Sequence, residues 1–171
     1  MSKIQIMSTD QTMRTLVRLA YEVIERNRGA ENLELVGIRR RGAALARVLA
    51  EQIGRIEGRT FEVHELDVTP YRDDREPNSS SEDQSVIKAD FTDRDVILID
   101  DVLFTGRTAR AALDAVVRYG RPRSIQLVVL IDRGNREYPI QPDYVGRLIH
   151  AKYKERVVVD IDQGVTVSIV E

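Results

Sequence analysis

The sequence predicts an α/β fold, a doubly wound and mainly parallel sheet with a long mobile loop. Three observations predict it. Val96 to Ile99 is a near-continuous apolar run of β-branched character, as expected of a strand buried on both faces, and Ser124 to Ile131 reads as a second buried strand. Segments of helical periodicity stand between such runs, so strand and helix alternate along the chain. Right-handed crossovers between parallel strands then collect the turns at the carboxyl ends on one edge of the sheet, where ligands of such folds sit.

From Asp10, residues Met13, Leu16, Val17, Ala20, Val23 and Ile24 repeat on one side of a 3.6-residue period, and Gly29 stops the helix. Leu33 to Ile38 is a short apolar strand that runs into Arg39, Arg40, Arg41 and Gly42, and Ala43 to Ile53 returns to a helical pattern. Phe61 to Val68 alternates apolar and polar residues as a further strand. Tyr71 to Gln84 holds a proline, three consecutive serines and many charges, which predicts a long mobile loop. After Val96 to Ile99, Thr108 to Tyr119 reads as a helix closed by Gly120, and Ser124 to Ile131 ends at Asp132, Arg133 and Gly134. Val157 to Ile161 and Val165 to Val170 read as short strands outside the regular alternation.

The 171 residues, 42% of them hydrophobic, suffice for one core and predict a single domain over 1–171 with a small appendage. No cysteine is present, which excludes disulfides and thiolate metal sites. No apolar run approaches membrane-spanning length and MSKIQIMSTDQ lacks a signal-peptide pattern, so the expected location is cytoplasmic. His64 and His150 are far apart without ligand spacing and receive no zinc or catalytic role.

The chemistry concentrates in VILIDDVLFTGRT, Val96 to Thr108. Asp100 and Asp101 stand at the end of a buried strand, where carboxylates accept hydrogen bonds from vicinal ribose hydroxyls. Val102, Leu103 and Phe104 lead into Thr105, Gly106, Arg107 and Thr108, whose amides and hydroxyls suit a dianionic phosphate at a helix N-terminus. Two carboxylates against a phosphate would repel it, so the acids face the sugar and the turn faces the phosphate. A Walker A reading fails because no lysine follows the glycine, and no G-x-G-x-x-G string is present. Arg39 to Gly42 lies on the same sheet edge, where cations and free amides can hold pyrophosphate.

This string resembles the phosphoribosyl-pyrophosphate (PRPP) signature of the type I phosphoribosyltransferases, a resemblance that implies a small hood drawn from the N-terminal and C-terminal segments. With VGIRRRG (36–42), ELDVTPYRDD (65–74), GRPRSI (120–125) and LIDRGNREYPI (130–140), the chain resembles the pyrimidine operon attenuator / uracil phosphoribosyltransferase family over nearly its whole length. The resemblance implies that Asp100 and Asp101 bind ribose, that Thr105 to Thr108 bind the 5-phosphate, and that Arg39, Arg40, Arg41 and Gly42 form the pyrophosphate loop. It implies that Tyr71, Arg72, Asp73 and Asp74 open a loop that folds over PRPP. Asp100 and Asp101 would meet magnesium indirectly, through PRPP or water. Asp132, Arg133, Val159 and Asp160 become candidates for holding uracil.

The implied reaction makes UMP and pyrophosphate from PRPP and uracil, and the implied assembly is a homodimer or larger homo-oligomer. A second implied partner is an RNA stem-loop of a messenger leader, with Arg26, Arg136 and Arg147 as contacts and Tyr138 and Tyr144 for stacking. Arg118 to Arg156 fits this, with nine Lys or Arg against four Asp or Glu. Arg40, Asn135 and the stretch 141–155 depart from the family pattern. Two alternatives stay open: an RNA-binding attenuator with little catalysis, and a transferase for a purine base.

Overall fold

The structure, a computed structural model, describes residues 2–76 and 82–171. In chain order it contains β1 (Lys3–Met7), α1 (Thr9–Asn27), β2 (Leu33–Ile38), α2 (Arg41–Glu57), β3 (Val63–Leu66), β4 (Asp95–Leu103), α3 (Arg107–Val116), β5 (Ser124–Asp132), β6 (Tyr144–Leu148), β7 (Arg156–Asp160) and β8 (Thr166–Val170). Five strands pair in parallel in the order β3-β2-β4-β5-β6, and a separate antiparallel sheet has the order β1-β8-β7. Among the described residues no helix is long and apolar enough to cross a membrane.

The double winding follows from burial on both faces of the central strands. Leu35, Ile97, Ile99, Val128 and Leu130 pack under α1 and α2, while Val36, Leu98, Val96, Leu127 and Val129 pack under α3. Alternate residues of one strand thus feed opposite cores. Ala109, Ala111, Ala112 and Ala115 form the buried side of α3 and let it lie close on the sheet. The small sheet adds Met7, Val159, Val165 and Val167 to the core on the α1 side, which ties both ends of the chain to it.

Local capping explains where the helices start and stop. Ser8 and Gln11 form a reciprocal capping box, each side chain bonded to the other's backbone. Arg28, in a left-handed conformation, and Gly29 then end α1.

The chain leaves β2 through α2 toward β3, then comes back past β2 to β4 and departs through α3 on the other side. The strand order reverses between β2 and β4, and the crevice beyond their carboxyl ends is the ligand position of an open α/β sheet.

Several boundaries differ from the sequence reading. The β4 strand reaches Leu103, so Asp100 and Asp101, expected at its very end, lie within it and Val102 and Leu103 extend it past them. Its register with β5 continues through Val102 and Leu103 opposite Ile131 and Asp132, and this pairing outweighs the local polarity. The second helix begins at Arg41, two residues before Ala43, which places Arg41 and Gly42 in its first turn. Strand pairing in the 61–68 segment is confined to Val63–Leu66, followed by a 3-10 turn over Thr69–Tyr71. The loop expected over 71–84 is described on both flanks, and its middle, 77–81, lies outside the described residues.

Candidate active site

Gly42 joins the two segments that the sequence places on one edge. A Cβ built on it would stand 2.6 Å from the Ile99 carbonyl oxygen and 3.2 Å from both Cα and Oδ1 of Asp100. The first turn of α2 therefore rests directly on the end of β4, and only glycine permits the approach. Gly37 does the same one step back, its virtual Cβ lying 2.4 Å from the Cα of Ala43. The basic turn between them is half-buried at Arg39 and exposed at Arg40 and Arg41, and the Arg39–Arg40 peptide is cis. Arg39 donates from its amide to the Leu66 carbonyl (2.9 Å) and from its guanidinium to the Gln84 carbonyl (2.6 Å).

Beyond β4 opens a cleft of about 350 Å³, lined by Arg72, Asp74, Asp100, Val102 to Ala109 and Glu137. Burial and the neighbouring Asp101 carboxylate push the Asp100 carboxyl well above its ordinary range, while the charge of Arg72 works against them. Asp100 accepts the Asp101 amide (2.9 Å), and Asp101 accepts the Val102 amide (2.8 Å), which holds both carboxylates in place. Gly106, at φ 90°, is the N-cap of α3, and the Thr105 hydroxyl accepts the Arg107 amide (3.2 Å). The first-turn amides of α3 lack intrahelical acceptors by construction and carry the positive end of the helix dipole.

Loops after β3 and β5 close on this turn. Arg72 donates to the Thr108 hydroxyl (2.9 Å) and makes a fork with Asp74 (2.8 and 2.7 Å). Arg107 donates to both oxygens of Asp73 (3.1 Å each), to Glu137 (2.7 Å) and to the Tyr138 hydroxyl (2.7 Å). The amides of Glu137 and Tyr138 donate to the Thr105 carbonyl at 2.8 and 2.9 Å. Tyr71 turns instead toward the α3 core, with Arg118 5.9 Å from its ring.

The residues expected at the base are more scattered. Asp132 is 6% exposed, and Arg136 grips it with two bonds of 2.7 and 2.8 Å while the Gly134 amide adds a third. Arg133, also buried, lies 3.9 Å from the Phe104 ring and donates to the carbonyls of Lys152 and Glu155, with its Nε unpartnered. Val159 points into the core at 1% exposure, and Asp160 accepts the Asp162 amide (3.1 Å). Arg133 sets its guanidinium on the face of Phe104, a residue that lines the cleft.

Of the arginines expected to face RNA, Arg136 lies inside, whereas Arg26 and Arg147 lie on the side of α1 and β6. Arg136 is part of the internal network, bonded also to the carbonyls of Phe104 (3.1 Å) and Ile140 (2.9 Å). Arg26 pairs with Asp143 (3.0 Å) on the outside of α1, 5.5 Å from the Tyr144 ring. Tyr144 is itself buried, its hydroxyl donating to Gln126 (2.6 Å), which removes it as a stacking surface. Arg147 donates to the Ile6 carbonyl (2.9 Å) and borders a cleft of about 360 Å³ between α1 and β6, together with Arg14 and Arg18. His64 is structural, bridging Glu34 (2.9 Å) and the Lys88 amide (3.3 Å) edge-on to Phe91.

Ala109 and Glu137 also line the cleft although residue types alone do not single them out, and Tyr138, expected as a stacking surface for RNA, bonds Arg107 at its edge. The signal for them is position: Ala109 directly follows VILIDDVLFTGRT, and Glu137 and Tyr138 fall within LIDRGNREYPI.

A doubly wound sheet with paired carboxylates and a helix N-terminus at its switch point is an arrangement suited to a phosphoribosyl transferase. Residues 5–162 match the family described as phosphoribosyl transferase domain, and the chain belongs to that family. It is similar to the bifunctional protein PyrR of Bacillus cereus (strain B4264), with 48% identity over 165 residues that cover 94% of this chain and 92% of the relative. The bifunctional protein PyrR of Bacillus anthracis (strain A0248) matches equally, at 48% identity with the same coverage.

Among solved structures, a hypoxanthine phosphoribosyltransferase from Trypanosoma cruzi superposes with a TM-score of 0.76 at 17% identity, covering 97% of this chain and 94% of that one. One from Staphylococcus aureus gives 0.67 at 21% identity, covering 87% and 79%. At such identities the likeness concerns the fold.

Proposed function

We propose that the protein transfers phosphoribosyl from PRPP to uracil, giving UMP and pyrophosphate. The observation that carries the reading is the close approach of Gly42 to Asp100, which sets the first turn of α2, next to the basic turn, against the end of the strand that bears the ribose-phosphate motif. The choice of uracil rests on the relatives called bifunctional protein PyrR and on the segments resembling their family.

In this reading Asp100 and Asp101 accept the ribose hydroxyls, and donors arriving there stabilise the ionised form of a carboxyl that burial otherwise disfavours. The amides and hydroxyls of Thr105 to Thr108 receive the 5-phosphate. Arg39, Arg40 and Arg41 face the departing pyrophosphate, and charge stabilisation there matters most because displacement at an anomeric carbon passes through an oxocarbenium-like state. Arg72, Asp73 and the loop they open keep water from that state. The hard oxygens of Asp100 and Asp101 suit a magnesium ion that keeps most of its water and is bound mainly by substrate phosphates. When bound, magnesium supplies charge neutralisation of the pyrophosphate. The β1-β8-β7 sheet is the hood in a single-domain enzyme that works in the cytoplasm as a homodimer or larger homo-oligomer.

The test is incubation with PRPP, magnesium and each free base in turn. Pyrophosphate release with uracil supports the reading; release with purines alone replaces it by the purine alternative. A second function is favoured by one observation, the basic cleft of Arg14, Arg18 and Arg147, which suits an RNA backbone. Affinity for a leader hairpin, measured with and without UMP at fixed salt, decides it. Binding no tighter than to random RNA removes that function and leaves the enzyme.

A further inference from the structure

Tyr138 touches three segments that must cooperate at the phosphate turn. Its amide donates to the Thr105 carbonyl (2.9 Å), and its own carbonyl lies 3.3 Å from where a Cβ on Gly106 would stand. Its hydroxyl accepts from Arg107 (2.7 Å) and donates to Asp73, and the Arg107 guanidinium lies 4.6 Å from the centre of its ring. Arg107 is thus neutralised by Asp73 and Glu137 before any ligand arrives. Asp73 needs the same arrangement, since the Tyr138 hydroxyl foremost, and Arg107 after it, hold its carboxyl below the usual range.

We propose that the Tyr138 hydroxyl is a positioning device for the transferase site, holding the Asp73 carboxylate on Arg107 and so away from the place of the 5-phosphate. Resting on the reading above, it deepens that reading by giving a residue outside the signature a role in PRPP affinity. An Asp73 released from Tyr138 presents a carboxylate beside an incoming dianion, and repulsion weakens binding. Asp73 also adjoins Arg72, whose guanidinium bonds Thr108 and whose charge acts on Asp100.

Tyr138→Phe keeps the ring over Arg107 and removes only the hydroxyl. The KM for PRPP should rise about five-fold, the size of effect that follows loss of one hydrogen bond. The KM for the base and the melting temperature should stay at wild-type values, a split that a merely structural role would not produce. In an Asp73→Asn background the same substitution should add nothing. Hydrogen exchange of residues 71–76 in the ligand-free protein should accelerate in Tyr138→Phe, a readout that needs no turnover. A wild-type KM together with unaltered exchange would overturn the proposal, as would a full five-fold effect in the Asp73→Asn background. If the wild-type protein releases no pyrophosphate with any base, the transferase reading fails, and unaltered exchange would separately refute the positioning role.

Discussion

Substitution Gly42→Ala tests whether the α2 N-terminus and the β4 carboxylates form one rigid site. The new Cβ would lie 2.6 Å from the Ile99 carbonyl oxygen, a backbone atom with no rotamer through which to move aside. Ordinary carbon–oxygen contacts begin near 3.3 Å, so the helix end and the strand end must part by about 0.7 Å. Overpacking of this kind costs about 1–3 kcal/mol, which for a chain of this length lowers the melting temperature by about 2–12 °C. The larger effect falls on chemistry, because a displacement approaching 1 Å between reacting groups costs up to about 100-fold in rate. We expect kcat/KM for PRPP, followed by pyrophosphate release with uracil and magnesium, to fall about 30- to 100-fold.

Gly58→Ala is the control. Gly58 closes the far end of α2 at φ 69° with nothing within 4 Å of its virtual Cβ, so alanine there costs about 1–2 kcal/mol of left-handed strain and leaves the crevice alone. Wild-type kcat/KM in a Gly42→Ala protein that shows the expected loss of stability would refute the reasoning. Equal losses of activity in both variants would do so too.

Asp100→Asn should reduce PRPP turnover about 10- to 100-fold through loss of charge-assisted bonds to ribose, measured by the same assay. It should also stabilise the ligand-free fold above pH 4. Burial and Asp101 raise the folded-state pKa of Asp100 above its unfolded value, so the wild-type protein loses stability as pH rises through that interval. Melting curves of the two proteins should coincide at low pH and separate upward from it. Asp95 behaves in the opposite sense: Arg123 foremost, then Ser124 and Asn32, bring its pKa down to about 2. Its contribution is complete above the unfolded value and disappears as pH falls from about 4 to about 2, and Asp95→Asn should flatten that part of an acid-unfolding curve. Arg136→Ala strips a buried carboxylate of its fork and should cost about 3–5 kcal/mol in urea unfolding, whereas Arg26→Ala, at an exposed pair, should cost under about 1 kcal/mol.

The sheet is legible in the sequence because burial on both faces leaves a one-dimensional trace. Val96, Ile97, Leu98 and Ile99 are apolar without alternation since each side of β4 meets a helix. Strand β6, YVGRL, leaves no such trace, being an edge strand whose Arg147 and Leu148 are exposed and whose regularity comes from pairing with β5. Strand β1 is likewise defined by its partner, β8, at the far end of the chain.

The site divides along the same line. Asp100, Asp101 and Thr105 to Thr108 are adjacent in sequence, so their joint chemistry can be read from one string. The meaning of Asp132 and Arg136 depends on a contact four residues away that local pattern leaves undecided. A strand-end Asp-Arg-Gly followed by an arginine can present a carboxylate to a ligand or spend it internally, and here Arg136 and the Gly134 amide take both oxygens. That contact gives two residues an internal role at once. Asp132 becomes the anchor of the loop 133–140 and Arg136 ceases to be an exposed cation, so the loop that carries Tyr138 is held from beneath by the residues first read as ligand contacts. Rigidity in this loop is what lets a single hydroxyl at its tip fix where Asp73 and Arg107 point.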